Sequence, residues 1–136
     1  MVAALATADF NPQNHETSAV DVNGVRHDGR SYKGAPPWNL DRLSGIAPYY
    51  PVEDRRYHHQ GRGIVRMTID LSTGRVVKVV MVKSTGYRSL GDCAIAAFKT
   101  WTWRPGRWKE IEFPVRFEIG DYPAAPPSGF IRLPPH

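Results

Sequence analysis

The sequence has a single cysteine, Cys93, so it cannot form an intrachain disulfide, and a lone cysteine assigns no redox compartment. It has no run of about 18 apolar residues, which argues against a membrane-crossing helix within these residues. It has no phosphate-cradling glycine loop: Gly61-Arg62-Gly63 opens a strand pattern rather than a helix. It lacks every familiar spacing of zinc ligands. His58 and His59 are adjacent and diverge on a helix, and His27 and Cys93 lie far from them. Asp54, Asp70 and Asp92 fall on different predicted elements, so no carboxylate dyad is implied. No catalytic residue, metal or cofactor is therefore expected, and the chain does not read as an enzyme.

What is present suits one small domain. The 136 residues are 41% apolar and include four Trp, six Tyr and five Phe, enough for a modest core. Twelve Pro and twelve Gly imply much irregular chain. The net charge is +5, and Ala47 to Ile119 holds 13 Lys/Arg against 7 Asp/Glu. A basic unit of this kind meets nucleic acid, an anionic membrane or an acidic partner, or simply carries a solvated surface.

Three strand patterns and one helix pattern define the unit. Val65, Met67, Ile69 and Leu71 alternate along a first strand, and Ser72-Thr73-Gly74 makes a hairpin loop. A second strand, Arg75 to Lys83, is nearly all apolar, and a bulge near Val79-Val80 would account for its ambiguous faces. Leu90, Cys93, Ala94, Ala97, Phe98 and Trp101 form one helical stripe. Ser89 with Asp92 predicts a capping box, and Pro105 the end of the segment. In the third strand Ile111, Phe113, Val115, Phe117 and Ile119 share one face. Pro114 lacks an amide donor, which places that strand at a sheet edge. The expected fold is α+β: a three-stranded antiparallel sheet in the order 2-1-3, the main helix on one face, and a short lead-in helix from Val52 to His59.

Residues 1–46 read as an N-terminal arm, 47–120 as the domain and 121–136 as a Pro-rich tail. The arm carries a hairpin signal around Asn23-Gly24, and a two-stranded hairpin needs a surface to lean on. Trp38, beside Pro36 and Pro37, is expected to dock on a neighbouring surface. Ala6-Thr7-Ala8 after an apolar start has the form of an export-signal cleavage site, and also of chance in an Ala-rich stretch.

Two binding surfaces suggest themselves. Trp101, Trp103, Arg104, Arg107, Trp108 and Lys109 mix rings with positive charge, as single-strand nucleic-acid binders do. Trp101 and Trp103 belong to the predicted core, which leaves Trp108 as the exposed candidate, so nucleic acid is not the expected partner. The other surface is the edge strand itself, which can be blocked or can recruit a visiting strand. Physics alone leaves that choice open.

The residues also carry a resemblance. Tyr50-Pro51, Gly61-Arg62-Gly63, Gly74-Arg75-Val76, Ser84-Thr85-Gly86, Leu90, Asp92 with Ala94 and Ala97, Trp101-x-Trp103-x-Pro105-Gly106 and Pro114-Val115-x-Phe117 follow one another from Pro48 to Ile119. In order and spacing they resemble the TonB C-terminal domain family. The resemblance implies a periplasmic domain that couples an ExbB–ExbD-like inner-membrane motor to TonB-dependent outer-membrane transporters. Such a domain adds the transporter's TonB box as a strand. Here that implies a peptide-binding set of Ile111, Glu112, Phe113, Pro114, Val115, Arg116, Phe117, Glu118 and Ile119, with Tyr50 and Pro51 adjoining. Relatives carry Gln near the Tyr-Pro pair; Ala47 and Tyr49 stand there in this chain, so backbone pairing is the expected mode. The family's membrane helix and long Pro-rich spacer are not among these residues. The motor link therefore requires a longer parent, and the alternative is a soluble exported interaction module. Homodimerisation by strand exchange is open to the same edge.

Overall fold

The computed structural model describes residues 16–120, together with the backbone of residues 3–8. The tail expected over 121–136 lies outside the described residues. The main sheet contains strands β1 (Ala3–Ala8), β2 (Ser18–Asp21), β3 (Arg26–Asp28), β5 (Gly61–Ile69), β6 (Val76–Lys83) and β8 (Trp108–Gly120). Its order is β3-β2-β8-β5-β6, with β1 also on β8, and every pairing is antiparallel. A second sheet joins β4 (Arg42–Ser44) to β7 (Thr102–Trp103). The helices are α1 (Pro37–Leu40), α2 (Val52–Arg56) and α3 (Arg88–Phe98).

The α+β class, the order β6-β5-β8 and the helix on one face match the sequence reading. The three-stranded sheet does not. The β2–β3 hairpin turns through Gly24 at φ 83 and finds its support along the third predicted strand, β8. That strand is therefore interior, not outermost. Pro114 is tolerated there because β2 pairs with β8 only as far as Glu112, while β1 begins opposite Val115. The missing amide falls in the gap between the two partners.

The α3 stripe packs Leu90, Ala94 and Phe98 against Val65, Met67, Ile111, Phe113, Val115 and Phe117, and Ala97 is buried on the same helix. Cys93 sits at the margin of this stripe, half-buried rather than in the core, and burial pushes its thiol above the ordinary range. An unactivated thiol follows. The capping box does not form: Tyr87 is the N-cap without a side-chain bond, and the Ser89 hydroxyl donates to Asp54 at 2.7 Å. The buried Asp54 carboxylate takes the Ser89 hydroxyl, which the box would have turned to the Asp92 backbone amide. The helix also stops before Pro105, because Thr100 bonds back to the Ala97 carbonyl at 2.7 Å and the chain then pairs as β7. The lead-in helix is shorter than expected too: it ends at Arg56, before His58 takes φ 56.

The β6 register skips Val77 and Val82, where the ladder to β5 shifts. The irregularities thus flank Val79-Val80 rather than falling on it, and they leave Val77 and Val82 exposed on an outer strand. Bulges and the neighbouring Lys78 and Lys83 are the usual protection of such an edge.

Gly61 and Gly63 answer to crowding. A Cβ on Gly61 would stand 1.9 Å from the Thr85 carbonyl oxygen, and one on Gly63 2.6 Å from that of Lys83. The start of β5 therefore lies directly against the β6–α3 connection. Gly61→Ala is expected to lower the unfolding free energy by about 1–3 kcal/mol, since backbone rather than a flexible side chain must move. Chemical denaturation measures this, and an unchanged midpoint would contradict it.

Candidate functional site

The site expected from sequence is the outer edge of β8, and its geometry can be built from alternation. The inner edge pairs with β5 from Gly61↔Phe117 to Thr68↔Glu110. The Ile119 amide donates to the Gln60 side chain at 3.0 Å on the β5 side. The Glu112 carbonyl accepts the Thr17 hydroxyl at 2.6 Å on the opposite side. Backbone polar groups alternate along a strand. Glu112, Pro114, Arg116 and Glu118 therefore turn theirs outward, while the residues between them serve β5. Ile111, Phe113, Val115 and Phe117 bury their side chains beneath, and Ile119 is partly buried.

This outer edge is occupied. β2 covers Trp108 to Glu112 and β1 covers Val115 to Gly120. The two occupants differ in their strand partners: β2 pairs with both β3 and β8. β2 is fastened by Ala19, fully buried, and by Thr17, whose hydroxyl also accepts the Trp38 indole N–H at 2.9 Å. Arg26 beside it reaches Glu110 at 3.2 Å, and Arg66 from β5 reaches Glu110 at 2.8 Å and Glu112 at 2.7 Å. Glu112 is therefore part of an ion-pair stripe across the sheet face, not simple edge protection. The stripe holds the Arg66 guanidinium above its ordinary pKa, mainly through the hydrogen bond to Glu112. β1 pairs with β8 alone among the described strands.

Tyr50 and Pro51 stand at the β1 end of the edge. Tyr50 is fully buried, edge-on to Phe117 at 5.4 Å, and its hydroxyl donates to the His59 carbonyl. Pro51 caps α2. The structure thus joins Tyr50 to the β8 strand from beneath, as support rather than as a surface contact. Below it Asp54, 4% exposed, accepts Ser89 and is 2.9 Å from His59 Nδ1. The His59 ring stacks on Tyr87 at 4.1 Å. Sequence reasoning missed Gln60 and Thr17 as edge-organising residues, since neither sits in a hydrophobic pattern.

The remaining candidates fall elsewhere. Trp108 is not exposed: it is 8% accessible and its indole donates to Asp41 at 2.8 Å. Trp101 and Trp103 are buried as expected. The nucleic-acid surface therefore loses its last free ring. His27 lies 2.7 Å from Asp21, and that contact, with the Val25 amide, holds the Asp21 carboxyl below its ordinary value. Among the described residues no group of three His, Cys, Asp or Glu is placed to hold a metal. None of their helices is long and apolar enough to cross a membrane.

Comparison with known proteins settles the family. The Gram-negative bacterial TonB protein C-terminal family matches residues 46–119, more than half of the chain. The chain belongs to the TonB C-terminal family. The "Protein TonB" of Neisseria meningitidis serogroup C is 29% identical over 105 residues, covering 75% of this chain and 37% of that relative. This chain thus spans little more than a third of the length of the curated TonB it matches. No solved structure matches it significantly. The TonB C-terminal family is one of transducing and interaction domains, and its matched region runs from just before Tyr50-Pro51 through β8.

Proposed function

We propose that this chain is a periplasmic TonB-like domain that binds the TonB box of an outer-membrane transporter by strand addition to β8. In this reading residues 47–120 are the domain and residues 1–46 its N-terminal arm. The observation that carries the reading is that β8 is a strand-accepting edge: two separate segments of the chain already add to it. Arg116 and Glu118 turn backbone donors and acceptors to that side, while Tyr50 braces Phe117 from below. Coupling to inner-membrane proton energy would run through an ExbB–ExbD-like motor and a membrane-anchored longer parent. The occupied edge favours a second reading, an exported envelope interaction module that keeps the fold without the motor link.

The test is a fluorescence anisotropy titration with labelled TonB-box peptides from several transporters. Saturable binding, stronger than that of scrambled peptides, is expected. Equal binding of boxes and scrambles would contradict peptide recognition. Peptide binding without any motor-coupled uptake by a longer parent would favour the second reading.

A further inference from the structure

The half of β8 that adjoins Tyr50 is filled by β1. We propose that β1 is a resident placeholder in the peptide seat, which a box peptide must evict to bind. The proposal rests on the strand-addition reading and adds its regulation.

Three observations point to a tenant built to leave. First, β1 and β2 share one edge but meet on either side of Pro114, so no ladder bond is lost at the junction. Release of β1 need not disturb β2. Second, the strand partners are unequal. β2 is paired along both sides, with β3 and with β8. β1 has β8 as its one strand partner among the described residues. Third, β1 reads Ala-Ala-Leu-Ala-Thr-Ala, four alanines in six residues. Alanine is depleted in strands, where β-branched and aromatic residues are favoured. A visiting strand rich in Val, Ile or Thr would therefore outcompete it, while a disordered or poorly matched segment would not. In the absence of a partner, β1 also keeps the outward groups of Arg116 and Glu118 from pairing with other chains.

If β1 closes the seat most of the time, apparent affinity is reduced by the fraction of molecules in which it is open. Alternation makes the test specific. Leu5 lies opposite Glu118 and Thr7 opposite Arg116, the outward-facing residues of β8. Leu5 and Thr7 thus carry the β1 amides that enter the ladder, while the Ala6 amide, opposite Phe117, points away. The full chain is compared with the Leu5→Pro/Thr7→Pro variant, with Ala6→Pro, and with Ala4→Val/Ala6→Val/Ala8→Val. Hydrogen exchange is followed at the Arg116 and Glu118 amides, and binding with one labelled TonB-box peptide. Leu5→Pro/Thr7→Pro should speed exchange at both amides and tighten peptide binding by about tenfold. Ala6→Pro should do much less. The valine variant should slow exchange and weaken peptide binding several-fold.

Unchanged exchange in Leu5→Pro/Thr7→Pro would show that β1 does not hold the seat and would overturn the proposal. Faster exchange with equal peptide affinity in all forms would place the peptide elsewhere and overturn the gating. Faster exchange with no peptide binding to any form would instead sink the peptide reading itself, leaving β1 as a permanent edge cover.

Discussion

Trp38→Ala is expected to destabilise the protein by about 3–5 kcal/mol, the usual cost of truncating a fully buried aromatic. Trp38 has no exposed surface although it lies outside the span the family matches. Its ring meets Tyr32 at 5.6 Å and Trp108 at 5.4 Å, both edge-on. Its N–H bonds the Thr17 hydroxyl, which in turn bonds Glu112 on β8. Truncation therefore empties the space under the arm and loosens the clasp that holds β2 to the sheet. Against a total of about 5–15 kcal/mol, this is a large fraction of the stability. Trp38→Phe keeps most of the packing and should cost about 1–2 kcal/mol through the lost hydrogen bond. Denaturant midpoints measure both. A loss below about 1 kcal/mol in Trp38→Ala would show the arm to be a loose appendage.

The second large effect is on binding rather than stability. Arg116→Pro/Glu118→Pro removes two backbone donors that face outward, beside the one Pro114 already lacks. The β5 ladder uses the residues between them, so the fold should survive with a modest loss. Their own ion pair, at 3.8 Å and partly exposed, contributes little. A strand seated on this edge loses two hydrogen bonds of about 0.5–1.5 kcal/mol each. Measured in the Leu5→Pro/Thr7→Pro background, where β1 no longer competes for the same donors, TonB-box affinity should therefore fall at least about fivefold, and more if the proline rings obstruct approach. Phe117→Pro serves as the contrast: it removes an amide directed at β5 and buries a smaller ring, so it should unfold the domain. Unchanged peptide affinity when Arg116→Pro/Glu118→Pro is added to a folded Leu5→Pro/Thr7→Pro protein would exclude this edge as the seat.

The unit from β5 to β8 was legible because its periodicities are strong and local. The α3 stripe needs only 3.6-residue spacing, and the first strand only alternation. The interior position of β8 was not legible, for a physical reason. Pro114 correctly implies a missing outward bond, but it cannot say whether the strand ends there or two partners meet around it. The partners, Ser18–Asp21 and Ala3–Ala8, are short, and the latter is Ala-rich with no strand signal of its own. Trp108 misled similarly: it alternates in phase with solvent-facing residues, yet the arm, through Trp38 and Asp41, covers it. The Ser89–Asp92 box was a sound local reading that lost to a buried carboxylate 35 residues away. Of the proposed site, the strand and the Tyr50-Pro51 pair were named from sequence through the family resemblance. Their occupation was not, because it depends on pairings between residues 87 to 117 positions apart.

The most direct test of the account is a residue-resolved amide titration of the full chain with a TonB-box peptide. Strand addition to β8 predicts shifts at Arg116 and Glu118, small changes at Glu112 where β2 stays in place, and release of Ala3–Ala8 to a disordered signal as the peptide saturates. Shifts confined to the other edge, Val76–Lys83, with Ala3–Ala8 still paired, would contradict it.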